Sequence, residues 1–351
     1  MLAPWVMETF DHLARLNPFG PQGRVRLGFA FDGTWLPGPA LQDMFARVRR
    51  AGAQLITTHS VYGTAFGGMV KSCSHMCISI SLTIATAPTA PSPVATLNNH
   101  GLLGPDILLS HQNNSSAQDA QILQQNNVKV SCTPGTELQM GHGSPVCFED
   151  GLQPQSSLGI DCHSVCSAYI PTQMMLALQW ARGRRHETFE QHGKWAKGVA
   201  YTVEEAFNLG TIQGARAVRM EDEIGSLAVG KKADLVIFDG QSPGMLVAAD
   251  HNPVAAIVLH SSVRDVDTVI VDGIMRKKDG VLQPVSIPES ISATGSGLGG
   301  ETASWKDVQH RLVRMSRDID ERKKTVVDGP VAQQGVLNKF HLNTEAWTDS
   351  L

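Results

Sequence analysis

Short apolar runs and helix-spaced segments alternate between Val25 and Asp161, and this alternation limits the fold more than any other feature of the 351 residues. VRLGFAF (Val25 to Phe31) alternates like a strand and runs into Asp32-Gly33. GPALQDMFARVRRAG follows with Leu41, Met44, Phe45 and Val48 on one helix face and closes at Gly52. QLITTH then reads as a second strand, reaching His59. Strand, helix, strand in that order is the grammar of a parallel sheet. Past Gly101 it continues with the strand DILLSH, which ends at His111, and with the helix SSAQDAQILQQNN, capped by Ser115 or Ser116. The strands VKVSCTP and SSLGIDCHS complete the series, the last reaching Asp161.

One stretch breaks the pattern. Residues 69–94, MVKSCSHMCISISLTIATAPTAPSPV, are rich in Ser, Thr, Cys and Pro and carry no helical period and little charge. Three readings stand side by side: a long surface loop, non-coding text retained within the reading frame, or a lid, since loops this long usually have a role.

After Asp161 two further helices are expected. TQMMLALQWARGRRH is one; TVEEAFNLGTIQGARAV is the other, opened by Thr202 with Glu205 in capping-box position. Beyond Val218 the texture changes to short strands joined by Gly, Asp and Lys turns, as in EIGSLAVGKKADLVIFDG and DVDTVIVDGIMRKKDGVL. Residues 1–220 are therefore assigned to the α/β part and residues 221–285 to a compact β domain. Residues 286–351 comprise a Gly/Ser/Thr linker and an amphipathic, charge-mixed helix in WKDVQHRLVRMSRDIDERKK.

The bulk numbers exclude several classes. With 42% hydrophobic and 18% charged residues and a net charge of -4, the chain is globular in composition. It lacks the basic face that a nucleic-acid partner needs. The N-terminal MLAPWVMETFDHLARL has no basic segment followed by an apolar core, so it does not read as a signal peptide. The most apolar run, HMCISISLTIATA, is shorter than the roughly 20 residues of a spanning helix, so no membrane partner is expected. Six cysteines in a chain of this length do not form a disulfide framework, and a cytoplasmic location is the default.

Three polar residues share one position, the end of a parallel strand beside a loop: His59, His111 and Asp161. In parallel α/β folds those strand ends form the mouth where ligands bind. A strand buried on both faces has no reason to end in a titratable group, and three in succession point to a site. Imidazole and carboxylate suit a divalent metal, zinc first, with iron(II) or manganese(II) as alternatives. A catalytic zinc acidifies its water to a pKa of about 7, and a neighbouring carboxylate can take the proton.

These segments carry a family resemblance. THS, LLSHQNN, TPGTELQMGHGSPV and SLGID resemble strands five to eight of the amidohydrolase superfamily, in its cytosine deaminase and chlorohydrolase-like branch. The ordered string GSLAVGKKADLVIFD and the later NPVAAIVLHSSVRDVDTVIVDGIMRKKDGVL are similar to that family's closing region. The resemblance covers Arg24 to Leu282 apart from the insert. It implies an α/β fold: part of a (β/α)8 TIM-like barrel, strands four to eight, with a small composite β-sandwich. It implies metal-dependent hydrolysis of C–N bonds other than peptide bonds, as in a deaminase or a cyclic or linear amidase, by attack of metal-bound hydroxide on a small-molecule substrate. By position, His59 matches the strand-five metal ligand. His111 matches the strand-six histidine that touches substrate or the attacked centre, and would polarise that centre. Asp161 matches the strand-eight aspartate that binds metal and shuttles the proton. Glu137, in the strand-seven loop, is a candidate substrate contact or a loop-capping acid. His142, in MGHGSP, is a candidate substrate contact or a solvated histidine. A homo-oligomer is compatible with this reading.

Two departures matter. The family's first strand ends in a His-x-His pair that supplies two metal ligands, and no His-x-His occurs in this sequence. The expectation is a chain that begins near the fourth strand, N-terminally truncated relative to the family. Many deaminase members also carry a Glu three residues after the strand-five histidine; here that position is Tyr62. The rival reading is a catalytically inactive remnant. CSHMC (Cys73 to Cys77) and CHSVC (Cys162 to Cys166) lack the paired spacing of a zinc site, and the second pair is expected beside Asp161 at the barrel mouth. The H-x-E…P-C-x-x-C signature of the unrelated nucleobase deaminases is absent.

Overall fold

Five parallel strands form one sheet in strict chain order in a computed structural model that describes residues 4–34, 36–61, 92–289, 300–326 and 328–339. The strands are β1 (Phe29–Ala30), β2 (Ile56–Ser60), β3 (Ile107–His111), β4 (Lys129–Cys132) and β5 (Ser156–Leu158). Each pairs in parallel with the next. A doubly wound sheet reverses its order at a switch point, whereas a barrel adds each strand beside the last. The unreversed order is that of a segment of a (β/α)8 barrel, the fold class expected from the sequence.

The helix over Gly38–Arg50 follows its predicted face. In α1 (Pro4–Leu16) and α2 (Gly38–Arg50) the buried residues are Phe10, Leu41, Met44, Phe45 and Val48. Phe10 meets Phe29 edge-on with ring centroids 5.1 Å apart, and Phe31 meets Phe45 at 6.4 Å. Full burial of such side chains contributes about 1.5–3 kcal/mol each. After α3 (Pro93–Asn99), α4 (Ala117–Gln125) opens on Ser116, whose Oγ accepts the Asp119 N–H at 3.0 Å while Asp119 Oδ2 accepts the Ser116 N–H at 3.2 Å. The Asp119 carboxylate also accepts from Ser92 Oγ, which caps α3, so one side chain ties two helix starts together.

Three local expectations change. Only Phe29–Ala30 of the first predicted strand pairs in the sheet, because Val25 bridges back to Phe19 instead. The fifth strand stops at Leu158, three residues short of Asp161. The single helix expected over residues 202–218 is two, α7 (Val203–Leu209) and α8 (Ile212–Ala217), which follow α5 (Pro134–Gln139) and α6 (Ile170–Gln191). Thr211 takes a non-helical ψ of -99°, and a Cβ at Gly210 would lie 2.3 Å from Met174 Cε. The Thr202–Glu205 capping box is present as read.

This first unit ends at Ser226, and Leu227–Lys339 form a second. Within the second, β6 (Leu235–Phe238), β7 (Val266–Val271), β8 (Ile274–Lys278) and β9 (Val281–Leu282) make an antiparallel sheet in that order. β10 (Val285–Ser286) and β11 (Thr302–Ala303) form a two-stranded ribbon. The amphipathic helix read near the C-terminus spans Trp305–Val326, and a second helix unread in the sequence spans Gly329–Lys339. Among the described residues no helix is long and apolar enough to cross a membrane. Most of the atypical segment, residues 69–91, lies outside the described residues, and its last residues open α3.

Candidate functional site

Parallel pairing sends the C-terminal ends of all five strands to one edge, and each strand delivers a polar residue there. Asp32 follows β1, His59 is the penultimate residue of β2, His111 ends β3, Thr133 follows β4, and Asp161 lies three residues past β5. The register sets Ser60 opposite His111, so the two histidines sit one residue apart along adjacent strands.

His59 and Asp161 form the rim and His111 the floor. The His59 side chain is 55% exposed and that of Asp161 is 23% exposed, whereas that of His111 is 3% exposed. The His59 and His111 rings stack with centroids 5.7 Å apart and planes 24° from parallel. His111 Nε2 lies 4.0 Å from Asp161 Oδ2. The three residues expected to share a mouth therefore meet there. His142 joins the floor, its buried ring edge-on to His111 at 5.3 Å.

Several residues at this edge take left-handed backbone. His111 has a φ of 73°, Gln112 of 59° and Asp161 of 57°. Left-handed backbone at a residue with a side chain costs about 1–3 kcal/mol and persists only where surrounding structure holds it. For His111 that support is buried. Its Nδ1 is 3.0 Å from Thr133 Oγ1 and 3.4 Å from Glu137 Oε1.

Glu137 itself has no exposed surface. Its Oε1 accepts the Thr133 backbone N–H at 2.8 Å, so it caps its own short helix α5 and faces His111 from behind rather than lining the rim.

Asp32 is the residue that sequence reasoning missed. Its Oδ2 and Oδ1 lie 2.9 and 3.0 Å from His59 Nδ1, and its Oδ1 also accepts the His59 backbone N–H at 2.9 Å. The bond from Asp32 raises the His59 pKa above its ordinary value against the opposing effect of burial, and the Asp161 charge adds to the rise. Burial would raise the Asp32 pKa, but its bonds from the His59 ring and backbone hold it below the usual carboxylate value. Burial lowers the pKa of His142, and the neighbouring His111 lowers it further. The signal for Asp32 was available: it too is a charged residue just past a strand.

The remaining candidates fall beside the site or outside it. Cys162, exposed, and Cys166, half-buried, follow Asp161 in the loop; Cys166 Sγ donates to Ile160 O at 3.3 Å. His163 is exposed in the same loop. Tyr62 and the Cys73–Cys77 segment lie outside the described residues.

As a metal centre the donor set fits in type and is incomplete in number. His59 and Asp161 offer an imidazole and a carboxylate, and Asp32 stands behind His59 in the position from which an outer carboxylate orients a metal-binding histidine. A catalytic zinc site takes three protein ligands. Among the described residues, no group of three or more His, Cys, Asp or Glu side chains is arranged to hold a metal ion.

The model of the amidohydrolase family matches residues 89–275. A 5'-deoxyadenosine deaminase of Methanobrevibacter smithii is 31% identical over 183 residues, 52% of this chain and 40% of the relative. An S-triazine hydrolase of Gordonia rubripertincta is 28% identical over 293 residues, 82% of this chain and 54% of the relative. The crystal structure of an adenosine deaminase from Xanthomonas campestris with bound zinc superposes with a TM-score of 0.62 at 17% identity, covering 82% of this chain and 59% of that one. The chain thus spans about half the length of the curated relatives it matches.

Proposed function

Because the chain belongs to the amidohydrolase family, we propose that its strand-end cluster serves a metal-dependent hydrolase acting on C–N bonds other than peptide bonds, on a small-molecule substrate. The observation that carries this reading is the meeting of His59, His111 and Asp161 at one edge, with the two histidine ring centroids 5.7 Å apart and His111 Nε2 4.0 Å from Asp161 Oδ2. We assign the catalytic part to residues 1–220 and a β domain to residues 221–285. The deaminase and triazine hydrolase relatives support a nitrogen heterocycle bearing an amino or other leaving group as the substrate.

His59 Nε2 and the Asp161 carboxylate would hold the ion, with zinc as the first choice. When bound, a divalent ion supplies Lewis acidity and brings water near neutrality in its ionisation. The rest of the work falls to side chains. Asp32 holds the His59 ring by Nδ1, which leaves Nε2 for the ion. Asp161, partly exposed at the rim, takes the proton from the attacking water and returns it to the leaving nitrogen. His111 contacts the reacting group through Nε2, next to that carboxylate. Burial of the floor excludes bulk water from beneath the reacting atoms.

A complete structural zinc site contributes roughly 10–16 kcal/mol. Two ligands in place of four contribute about half of that, which corresponds to dissociation constants in the micromolar to sub-millimolar range. The rival reading is a chain that keeps the scaffold without the activity. Equilibrium dialysis of the purified chain against zinc separates the two. The expected result is weak binding to one site that His59→Ala and Asp161→Ala each abolish, accompanied by ammonia release from aminated heterocycles. Zinc uptake unchanged in both variants would overturn the ligand assignment. Zinc bound without any hydrolysis would favour the rival.

A further inference from the structure

The floor of the site contains a carboxylate that the proposed reaction does not use. Glu137 is fully buried, and its Oε2 has no hydrogen-bond partner among the described residues. A buried polar oxygen left unpaired costs about 1–3 kcal/mol, so the residue needs a reason beyond capping a six-residue helix. Its Oε1 supplies one. That oxygen accepts the Thr133 backbone N–H at 2.8 Å and lies 3.4 Å from His111 Nδ1.

We propose that Glu137 is a positioning residue: it fixes His111 in the tautomer protonated at Nδ1 and leaves Nε2 as a hydrogen-bond acceptor facing Asp161. Two neighbours surround Nδ1. The Thr133 hydroxyl, at 3.0 Å, is neutral on the question, because a hydroxyl can donate or accept. Glu137 Oε1 is not neutral. As a carboxylate oxygen it offers lone pairs only, so it is an acceptor toward the ring as it is toward the Thr133 N–H. A lone pair on Nδ1 would face this oxygen in a low-dielectric interior and be repelled. A proton on Nδ1 satisfies both Glu137 and Thr133. The ring has one proton when neutral, so Nε2 is left bare, 4.0 Å from Asp161 Oδ2.

His59 is built the same way, with Asp32 on its Nδ1. Both rings of the stacked pair thus carry a carboxylate behind Nδ1 and an available Nε2. For His111 this narrows the partner: in the neutral state Nε2 accepts, so the group it contacts carries an N–H or O–H. An amino-substituted heterocycle or its attacking water has one. This catalytic meaning rests on the hydrolase reading above, whereas the tautomer does not.

The tautomer is read by long-range proton–nitrogen NMR on the full chain labelled with nitrogen-15 histidine, without metal or substrate, at a pH above the histidine range. His111→Gln identifies the signal among the 13 histidines. The expected wild-type signal is protonated at Nδ1 and bare at Nε2. Glu137→Met should convert it to the opposite tautomer. Glu137→Gln should keep it, because the Thr133 N–H holds the amide oxygen at the Oε1 position. Thr133→Val should also keep it. A wild-type ring protonated at Nε2 overturns the proposal, and that result stands even if Glu137→Met fails to fold. A Thr133→Val ring that switches tautomer overturns it too, since it would assign the selection to the hydroxyl. Where the chain hydrolyses a substrate, Glu137→Met should lower kcat about 10–100-fold with little change in KM. Absence of hydrolysis would count against the function proposed above and leave the NMR result intact.

Discussion

Asp32 grips His59 at two points, the ring through Nδ1 at 2.9 Å and the backbone N–H at 2.9 Å. The two residues are 27 positions apart, Asp32 just past β1 and His59 in the neighbouring parallel strand β2, so the contact exists only when the sheet is formed. It orients the imidazole and fixes which nitrogen is available to the mouth. An otherwise exposed histidine is thereby pre-set for the ligand role proposed for it.

From this contact we predict that Asp32→Ala weakens zinc binding by about 10–100-fold, the usual cost of losing an outer-sphere partner. Global stability should change by less than about 1 kcal/mol, because the pair is exposed on both sides. Dialysis and urea denaturation measure the two quantities. Equal zinc affinity in wild type and variant would show that His59 needs no orienting carboxylate.

The capping box at α7 gives a prediction tied to pH. Thr202 Oγ1 accepts the Glu205 N–H at 3.1 Å, and Glu205 Oε2 accepts the Thr202 N–H at 2.7 Å. Thr202→Ala should cost about 1 kcal/mol at neutral pH. The Thr202 backbone N–H, chiefly, holds the Glu205 pKa below its ordinary value of 4.5. A depressed carboxylate pKa contributes stability that is present above the unfolded value and lost as pH falls through the folded one. The stability gap between wild type and Glu205→Gln should therefore narrow as the pH drops below about 4.5. A gap that widens on acidification would contradict the assignment.

The parts of this molecule legible in the sequence are those where one physical rule dominates. The parallel sheet followed from alternation of strand and helix, and the α2 face from the spacing of Leu41, Met44, Phe45 and Val48. The Thr202–Glu205 box followed from two residue types at fixed distance. What stayed hidden depended on tertiary partners. Nothing local marks Asp32 as the partner of His59, or Thr133 as the partner of His111. The burial of Glu137 behind His111 was equally invisible, so a substrate contact and a capping acid could not be separated from sequence. The break at Gly210 reflects the close approach of Ile170 and Met174 from another helix, a contact the helical period of residues 202–218 does not encode.

The alternating burial of β3 places Leu109 on the same face as His111, one layer deeper. Leu109 is fully buried at the centre of the sheet. Leu109→Ala should cost about 2–5 kcal/mol, a large share of the 5–15 kcal/mol typical of a domain. It should also loosen His111, so its nitrogen signals should broaden under conditions where the variant remains folded. A loss below about 1 kcal/mol would mean the sheet collapses readily around the cavity and does not hold the floor rigidly.

Asp161 lets backbone cost be separated from chemistry at one position. With a φ of 57° it sits in the left-handed region, which Gly adopts freely and Ala does not. Asp161→Gly and Asp161→Ala both delete the carboxylate, so both should abolish zinc binding. They should differ in stability: the Gly variant is expected to be more stable than the Ala variant by about 1 kcal/mol, measured by urea denaturation. The usual preference runs the other way, because Gly gives the unfolded chain more freedom and is normally the less stable of the two. A reversal of that order therefore reports directly on the left-handed turn. It would mean the loop after β5 is held in this conformation by its surroundings, and that the acid at its apex is placed by the fold before any ligand arrives. If the Ala variant is the more stable, the turn relaxes once the carboxylate is gone, and Asp161 is positioned by its own contacts instead.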